Sequence, residues 1–125
     1  MRTALVLIML ATLTLASAAD AARAPTRTER TGIIRATKVY IDMSGCCSII
    51  SRIRVEGIRV STVNRRWAVI HIFGYDESGG GVGPATALVH KGYLTNRWTV
   101  REFGSSDLGC EMPVRVQRDL RELCP

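Results

Sequence analysis

The chain has 125 residues, with 17 Lys and Arg against 11 Asp and Glu, four Cys and a formal charge of +6. That size suits one small domain and excludes a barrel enzyme of ordinary length or a two-domain catalyst built around a cleft. A hydrophobic fraction of 46% excludes a wholly disordered chain.

Residues 1–18 read MRTALVLIMLATLTLASA. A short basic start, Met1-Arg2, precedes an apolar run from Ala4 to Ala16, and Ala16-Ser17-Ala18 is small at both positions a signal peptidase inspects. This is the three-part pattern of a secretory signal. The alternative is an uncleaved anchor, but the run falls short of the ~20 residues a membrane span needs. Cleavage is placed after Ala18, with Ala19 or Ala21 as alternatives. It leaves 107 residues at +5, with no further apolar run of membrane-spanning length. The expected product is extracytoplasmic, with one core and a modest stability margin that disulfides would improve.

Residues 19–31, ADAARAPTRTERT, show no apolar periodicity and read as a flexible, solvated leader before a single domain over 32–125. In 32–43, Lys38-Val39-Tyr40-Ile41 suits a strand that Ile33, Ile34 and Ala36 could begin. Alternation is clear from Ile53. Ile53 and Val55 lie on one face, with Arg52, Arg54 and Glu56 on the other; Ile58 and Val60 continue on the opposite parity, so Gly57 marks a bulge. Residues 66–73, RWAVIHIF, place Trp67, Val69, His71 and Phe73 on one face and Ala68, Ile70 and Ile72 on the other. Both faces are largely apolar, which predicts a central strand covered on both sides.

Residues 74–84 hold five Gly and one Pro, and read as a long irregular loop. Strands at 85–90 and 97–103 then form a hairpin. In 113–123, Pro113 opens a short amphipathic helix with Val116, Leu120 and Leu123 on its apolar stripe and Arg115, Arg118, Arg121 and Glu122 left for water. The expected fold is α+β: an antiparallel sheet of four to five strands with a C-terminal helix, stabilised by disulfides.

Four Cys in an exported chain should pair, and three connectivities exist. A trans peptide sets adjacent Cα atoms about 3.8 Å apart, below the ~4.4–6.8 Å of a relaxed bridge, so a Cys46–Cys47 bond would be strained. On that ground alone each member of the doublet would reach toward Cys110 or Cys124. The competing pair, Cys110–Cys124, becomes feasible where 110–112 folds back or the helix stops near Leu120.

The stretch from Arg97 to Pro125, RWTVREFGSSDLGCEMPVRVQRDLRELCP, resembles the end of small exported bacterial proteins of uncharacterised function. The resemblance is carried by Trp98, Val100, Gly104, Ser105, Gly109, Cys110, Pro113, Val116, Asp119, Leu120, Cys124 and Pro125, with Arg59-Val60-Ser61 and Arg66-Trp67-Ala68 upstream. It covers about half of the mature chain, and its motifs are structural. It implies a Cys110–Cys124 bridge. The Cys46-Cys47 doublet lies outside it, and three fates stay open: a strained redox-active bridge, a free pair, or a link to another chain. Two disulfides are expected in all.

Motifs for chemistry are sparse. Ser78-Gly79-Gly80-Gly81 lacks the Gly-x-Ser-x-Gly context, and GGGVG lacks the Lys-Ser/Thr of a phosphate loop. Asp76 and Glu77 fall in the Gly-rich loop. His71 and His90 would approach if their strands pair, with Asp42 or Glu102 nearby, but the spacing of a zinc site is missing. No cofactor or metal is called for. Arg65, Arg66 and Arg97 precede the two Trp residues; with Arg52, Arg54 and Arg101 they are a candidate positive face for an anionic envelope polymer or an acidic protein. Both Trp are expected in the core, and export argues against a genomic target. The leading reading is a secreted, non-enzymatic binding or structural module. Alternatives are an inhibitor of a secreted hydrolase that inserts the 74–84 loop, and a small enzyme using His71 with a carboxylate.

Overall fold

A computed structural model describes residues 22–106, 108–122 and 124. The expected signal, Met1–Ala18, lies outside the described residues. In chain order the elements are helix α1 (Arg27–Ser44), strands β1 (Arg52–Val60), β2 (Trp67–Tyr75), β3 (Gly81–Lys91) and β4 (Trp98–Gly104), and helix α2 (Val114–Leu120). The strands form one antiparallel sheet in the order β1-β2-β3-β4. The fold is α+β with a short C-terminal helix, as the periodicities imply.

Helix α1 is the main departure from those expectations. Residues 27–31 are its first turns rather than part of a leader, and 32–43 are helical rather than partly extended. The cause is local. Thr26 and Glu29 form a capping box: the Glu29 amide donates to Thr26 Oγ1 at 3.2 Å, and the Thr26 amide donates to Glu29 Oε2 at 2.8 Å. Arg23 donates to both Glu29 oxygens at 2.8 Å. These Arg23 bonds, against the opposing effect of burial and with help from the Thr26 amide, lower the Glu29 pKa to about 2. Arg23 also makes a two-way backbone bridge to Val60, so the segment before the helix is tied to the edge of β1. Gly45 ends the helix in the left-handed region, at φ 67°.

One face of the sheet packs on α1. Ile33, Thr37 and Ile41, spaced by four, are its buried stripe. They meet Ala68, Ile70 and Ile72 of β2, Ala87 and Val89 of β3, and Ile58 and Val60 of β1. Thr37 is tolerated there because its hydroxyl donates to the Ile33 carbonyl at 3.0 Å. The β1–β2 register shifts between Val55 and Gly57. That bulge turns Ile53 and Val55 onto the same face as Ile58 and Val60, which resolves the change of parity.

The opposite face packs on α2, where Trp67, Val69 and Leu88 meet Met112, Val116 and Leu120. β2 is thus an inner strand covered on both sides. Regular structure enters the segment expected as a long loop: β2 runs to Tyr75, β3 starts at Gly81, and only Asp76–Gly80 turn. Asp76 Oδ1 accepts from the Gly80 amide at 2.8 Å and from Ser78 Oγ at 2.6 Å, closing the turn. Pro84 fits the strand because β4 begins pairing only at Thr86, leaving one side of β3 open there.

α2 stops at Leu120, and Arg121 takes a left-handed conformation at φ 58°. The chain then folds back and Cys124 bridges Cys110, with Cα atoms 4.7 Å apart. Gly109 makes the return possible: a Cβ there would meet the Glu122 carbonyl oxygen at 2.5 Å. The doublet closes on itself as a Cys46–Cys47 bridge, so among the described residues no Cys is free. Asp119 fixes the helix to the β1–β2 turn. Its carboxylate accepts from Ser61 Oγ at 2.7 Å, the Thr62 amide at 2.6 Å and the Val63 amide at 3.4 Å. Burial alone would raise its pKa; the Ser61 hydroxyl and the Thr62 and Val63 amides outweigh it and hold the carboxyl below the usual range.

Two stability outcomes follow. Replacing Cys110 and Cys124 by Ala removes a fourteen-residue cross-link and should cost about 3 kcal/mol in urea unfolding, whereas Cys46→Ala, which opens a link between neighbours, should cost under about 1 kcal/mol. Asp119 has a depressed folded pKa, so its contribution is complete above the unfolded value of ~3.9 and is lost as pH falls through the lower folded value. Asp119→Asn should therefore cost about 2 kcal/mol at pH 7 and much less near pH 2, read from urea midpoints across that range.

Candidate functional site

The six arginines expected on one positive face divide between two ends and an edge. Arg52 and Arg54 open β1 and sit opposite Tyr75 and Phe73. Arg52 lies over the Tyr75 ring at 4.9 Å, and Arg54 over Phe73 at 5.4 Å. Arg54 is also ion-paired with Glu56 at 2.6 Å. Arg65, Arg66 and Arg97 lie at the other end, where β2 begins, β3 ends and β4 begins. Arg101, on edge strand β4, faces Glu111 at 3.4 Å. The reason is antiparallel order: the start of β1 pairs with the end of β2, so the length of β2, about 26 Å at ~3.3 Å per residue, separates the groups. That is roughly three times the screening length at ~0.15 M salt, so they do not act as one field.

The second end is built by backbone register. The Lys91 amide donates to the Arg66 carbonyl at 2.8 Å, and the Gly92 amide to the Arg97 carbonyl at 3.0 Å. Arg66 braces it. Its Nη1 donates to the Lys91 and Gly92 carbonyls at 3.2 and 3.1 Å, and its guanidinium lies 4.4 Å from the Tyr93 ring centre. Arg65 and Arg97 are exposed. The β3–β4 turn beside them projects Tyr93, 68% exposed, and Leu94, fully exposed. Among the described residues Arg65, Arg66, Lys91 and Arg97 have no carboxylate partner, whereas Arg23, Arg54, Arg59 and Arg101 all do.

A groove of about 760 Å³ adjoins this end, between α1 and β4. Its apolar walls include Ala36, Val39, Tyr40, Trp98 and Val100, and its rim carries Arg35, Lys91 and Arg97. Trp98, expected in the core, is half-buried and forms one wall. The helix can lie against the indole because residue 32 is Gly; a Cβ there would fall 2.7 Å from Trp98 Cδ1. Residue patterning missed the groove because it missed α1. The Thr26-x-x-Glu29 box and the 33/37/41 spacing were the available signals, and they leave Arg35, Ala36, Val39 and Met43 on another side of the helix.

His71 and His90 do not meet. His71 pairs across the sheet with Thr86, and His90 with Trp67, four residues away along β2. The His90 ring packs on Trp67 at 4.6 Å and Tyr93 at 5.6 Å. Burial first, then the charges of Arg101 and Arg66, lower its pKa and favour the neutral ring. His71 Nδ1 lies 2.9 Å from Thr86 Oγ1, and Nε2 lies 3.5 Å from Glu122 Oε1. Glu122, expected in water, is half-buried and shared with Arg59 at 3.6 Å. Hydroxyl, imidazole and carboxylate thus stand in the order of a nucleophile, base and orienting group. Thr86, however, lies on inner strand β3, paired to His71 on one side and Gly104 on the other. The backbone amides around it belong to the ladder rather than to an oxyanion site. Glu102 accepts from the Gly109 amide at 2.7 Å and is a brace for the C-terminal loop. Among the described residues no three His, Cys, Asp or Glu converge as metal ligands.

Compared with protein families, curated proteins and solved structures, the chain has no match.

The two kinds of arginine at the basic end should separate in urea unfolding. Arg66→Ala removes a brace from two carbonyls and should cost about 1–2 kcal/mol, while Arg65→Ala and Arg97→Ala should each stay within about 0.5 kcal/mol, as exposed sites do.

Proposed function

We propose that the chain is a small extracytoplasmic binding module, without a reaction centre of its own, that docks an anionic partner on the basic end of its sheet. The observation that carries this reading is the concentration there of Arg65, Arg66, Lys91 and Arg97 with no carboxylate partner among the described residues. Exposed Tyr93 and Leu94 stand beside them. Aromatic and Arg side chains in one patch are the usual makings of a protein contact. Cations without carboxylate partners keep their full charge to neutralise an envelope polymer or an acidic protein. Disulfides support an oxidising location outside the cytoplasm, and among the described residues no helix is long and apolar enough to cross a membrane. The short Asp76–Gly80 turn offers little chain to insert into a hydrolase, so the inhibitor reading gains no support. The paired backbone around His71 and Thr86 likewise favours binding over acyl transfer.

The test is retention of the 19–125 chain on immobilised polyglutamate and, separately, polyphosphate. The module should bind at ~50 mM salt and elute by ~0.5 M, because screening shortens the reach of exposed charges. The Arg65→Ala/Arg97→Ala double variant should weaken binding about five- to tenfold, and Arg52→Ala/Arg54→Ala by less than about twofold. Preference for one resin separates carboxylate from phosphate partners. Equal losses in the two double variants would overturn the assignment to this end.

A further inference from the structure

We infer that the groove between α1 and β4 is a binding site for a single amphipathic anion, a free medium- or long-chain carboxylate. Its volume, about 760 Å³, lies within the range of small-molecule sites. Its walls are apolar and aromatic, with Ala36, Val39 and Tyr40 from the helix facing Trp98 and Val100 from the strand. Tyr40 is steadied from behind by Phe103, with ring centres 5.4 Å apart. Val39 and Met43 remain 47% and 81% exposed at the groove, an apolar surface that water solvates poorly and a chain would cover.

Charge selects the headgroup. Arg35, Lys91 and Arg97 line the groove, and none has a carboxylate partner among the described residues. Glu29 also lines it, but its oxygens accept from Arg23 and from the Thr26 amide, so its charge is already compensated. An apolar trough with cations at its rim matches a carboxylate on a hydrocarbon chain. A neutral lipid would leave the rim unanswered, and a small inorganic anion would leave the walls bare.

This goes beyond the docking of a polymeric partner and survives its failure, because Arg35 and the groove walls belong to no other site. The experiment is calorimetric titration of the 19–125 chain with decanoate and dodecanoate below their micelle concentrations, and with dodecanol. One dodecanoate per chain should bind, tightening by about three- to fourfold per added methylene, with dodecanol at least tenfold weaker. Arg35→Ala should weaken dodecanoate about fivefold or more and leave dodecanol unchanged. Ala36→Trp, which fills the trough, should abolish binding of both yet keep polyglutamate retention; Val39→Trp serves the same purpose if the first variant unfolds. Perturbation of the Trp98 indole NMR signal should accompany binding. Equal affinity for dodecanol, unchanged binding in both filled variants, or no binding at all would overturn the proposal. So would a concentration-dependent dimer that Ala36→Trp dissolves, which would assign the groove to a second copy.

Discussion

The contact on which the C-terminal third depends is the Asp119 carboxylate against the β1–β2 turn. A buried carboxylate survives only where its desolvation is answered by donors, and here a hydroxyl and two amides of Ser61, Thr62 and Val63 answer it. Besides Arg59, whose guanidinium donates to the Leu120 carbonyl, this carboxylate is the polar tie from α2 to the sheet and its turn among the described residues. With Asp119 in place, Leu120 closes over the Val69 side of β2, and its carbonyl accepts from Arg59 at 2.6 Å. The next residues then run back along the sheet, where Glu122 reaches His71 and Cys124 reaches Cys110. The cross-link therefore locks a path that the carboxylate has set, and a helix of only seven residues, too short to persist alone, becomes part of the core.

The two helices do unequal work. α1 has eighteen residues and covers the apolar face of β2 from Ala68 to Ile72. α2 covers only the part of the other face around Trp67 and Val69. The rest of that face, from His71 to Tyr75, is finished by Arg52 and Arg54 laid over aromatic rings and by the return of Glu122. Charged side chains with long apolar stems can close a sheet face that no helix reaches. This accounts for the arginines at that end without a ligand and leaves the opposite end as the region whose cations, among the described residues, have no carboxylate partner.

How legible this was depended on how long each local pattern ran. The strands were legible because alternation over eight residues is hard to produce otherwise. Its break at Gly57 correctly marked the bulge, and the two apolar faces of 67–73 correctly marked an inner strand. The Val116 and Leu120 stripe was also readable; the expected helix ran on to 123, with an end near Leu120 only one of two ways for Cys110 to reach Cys124, and Leu123, placed on the same stripe, lies outside the described residues. Helix α1 was not, since Val39-Tyr40-Ile41 carries strand propensity and the middle of its buried stripe is Thr37, a polar residue that satisfies itself on the preceding turn. Because the helix went unseen, the groove did too. Strand order explains the arginines: their grouping by sequence ignored that neighbouring antiparallel strands start at opposite ends. The internal closure of the Cys doublet stayed open, since adjacent thiols give no spacing from which a partner can be read.

Net charge is a poor guide to where this molecule meets others; the pairing of individual charges is a better one. Arg23, Arg54, Arg59 and Arg101 are answered within the fold. Arg66 satisfies its donors on carbonyls, which fixes its position but leaves its full charge in place. Lys91 and Arg97 then stand beside it with no carboxylate partner among the described residues, at the mouth of an apolar trough whose width is set by Gly32 against Trp98. A helix–strand contact chosen for close approach and a strand register that stacks three basic residues arise from separate parts of the chain. Their meeting at one end puts exposed cations beside apolar walls, so the cations alone carry the proposal for a polymeric anion and cations and walls together carry the one for an amphipathic anion.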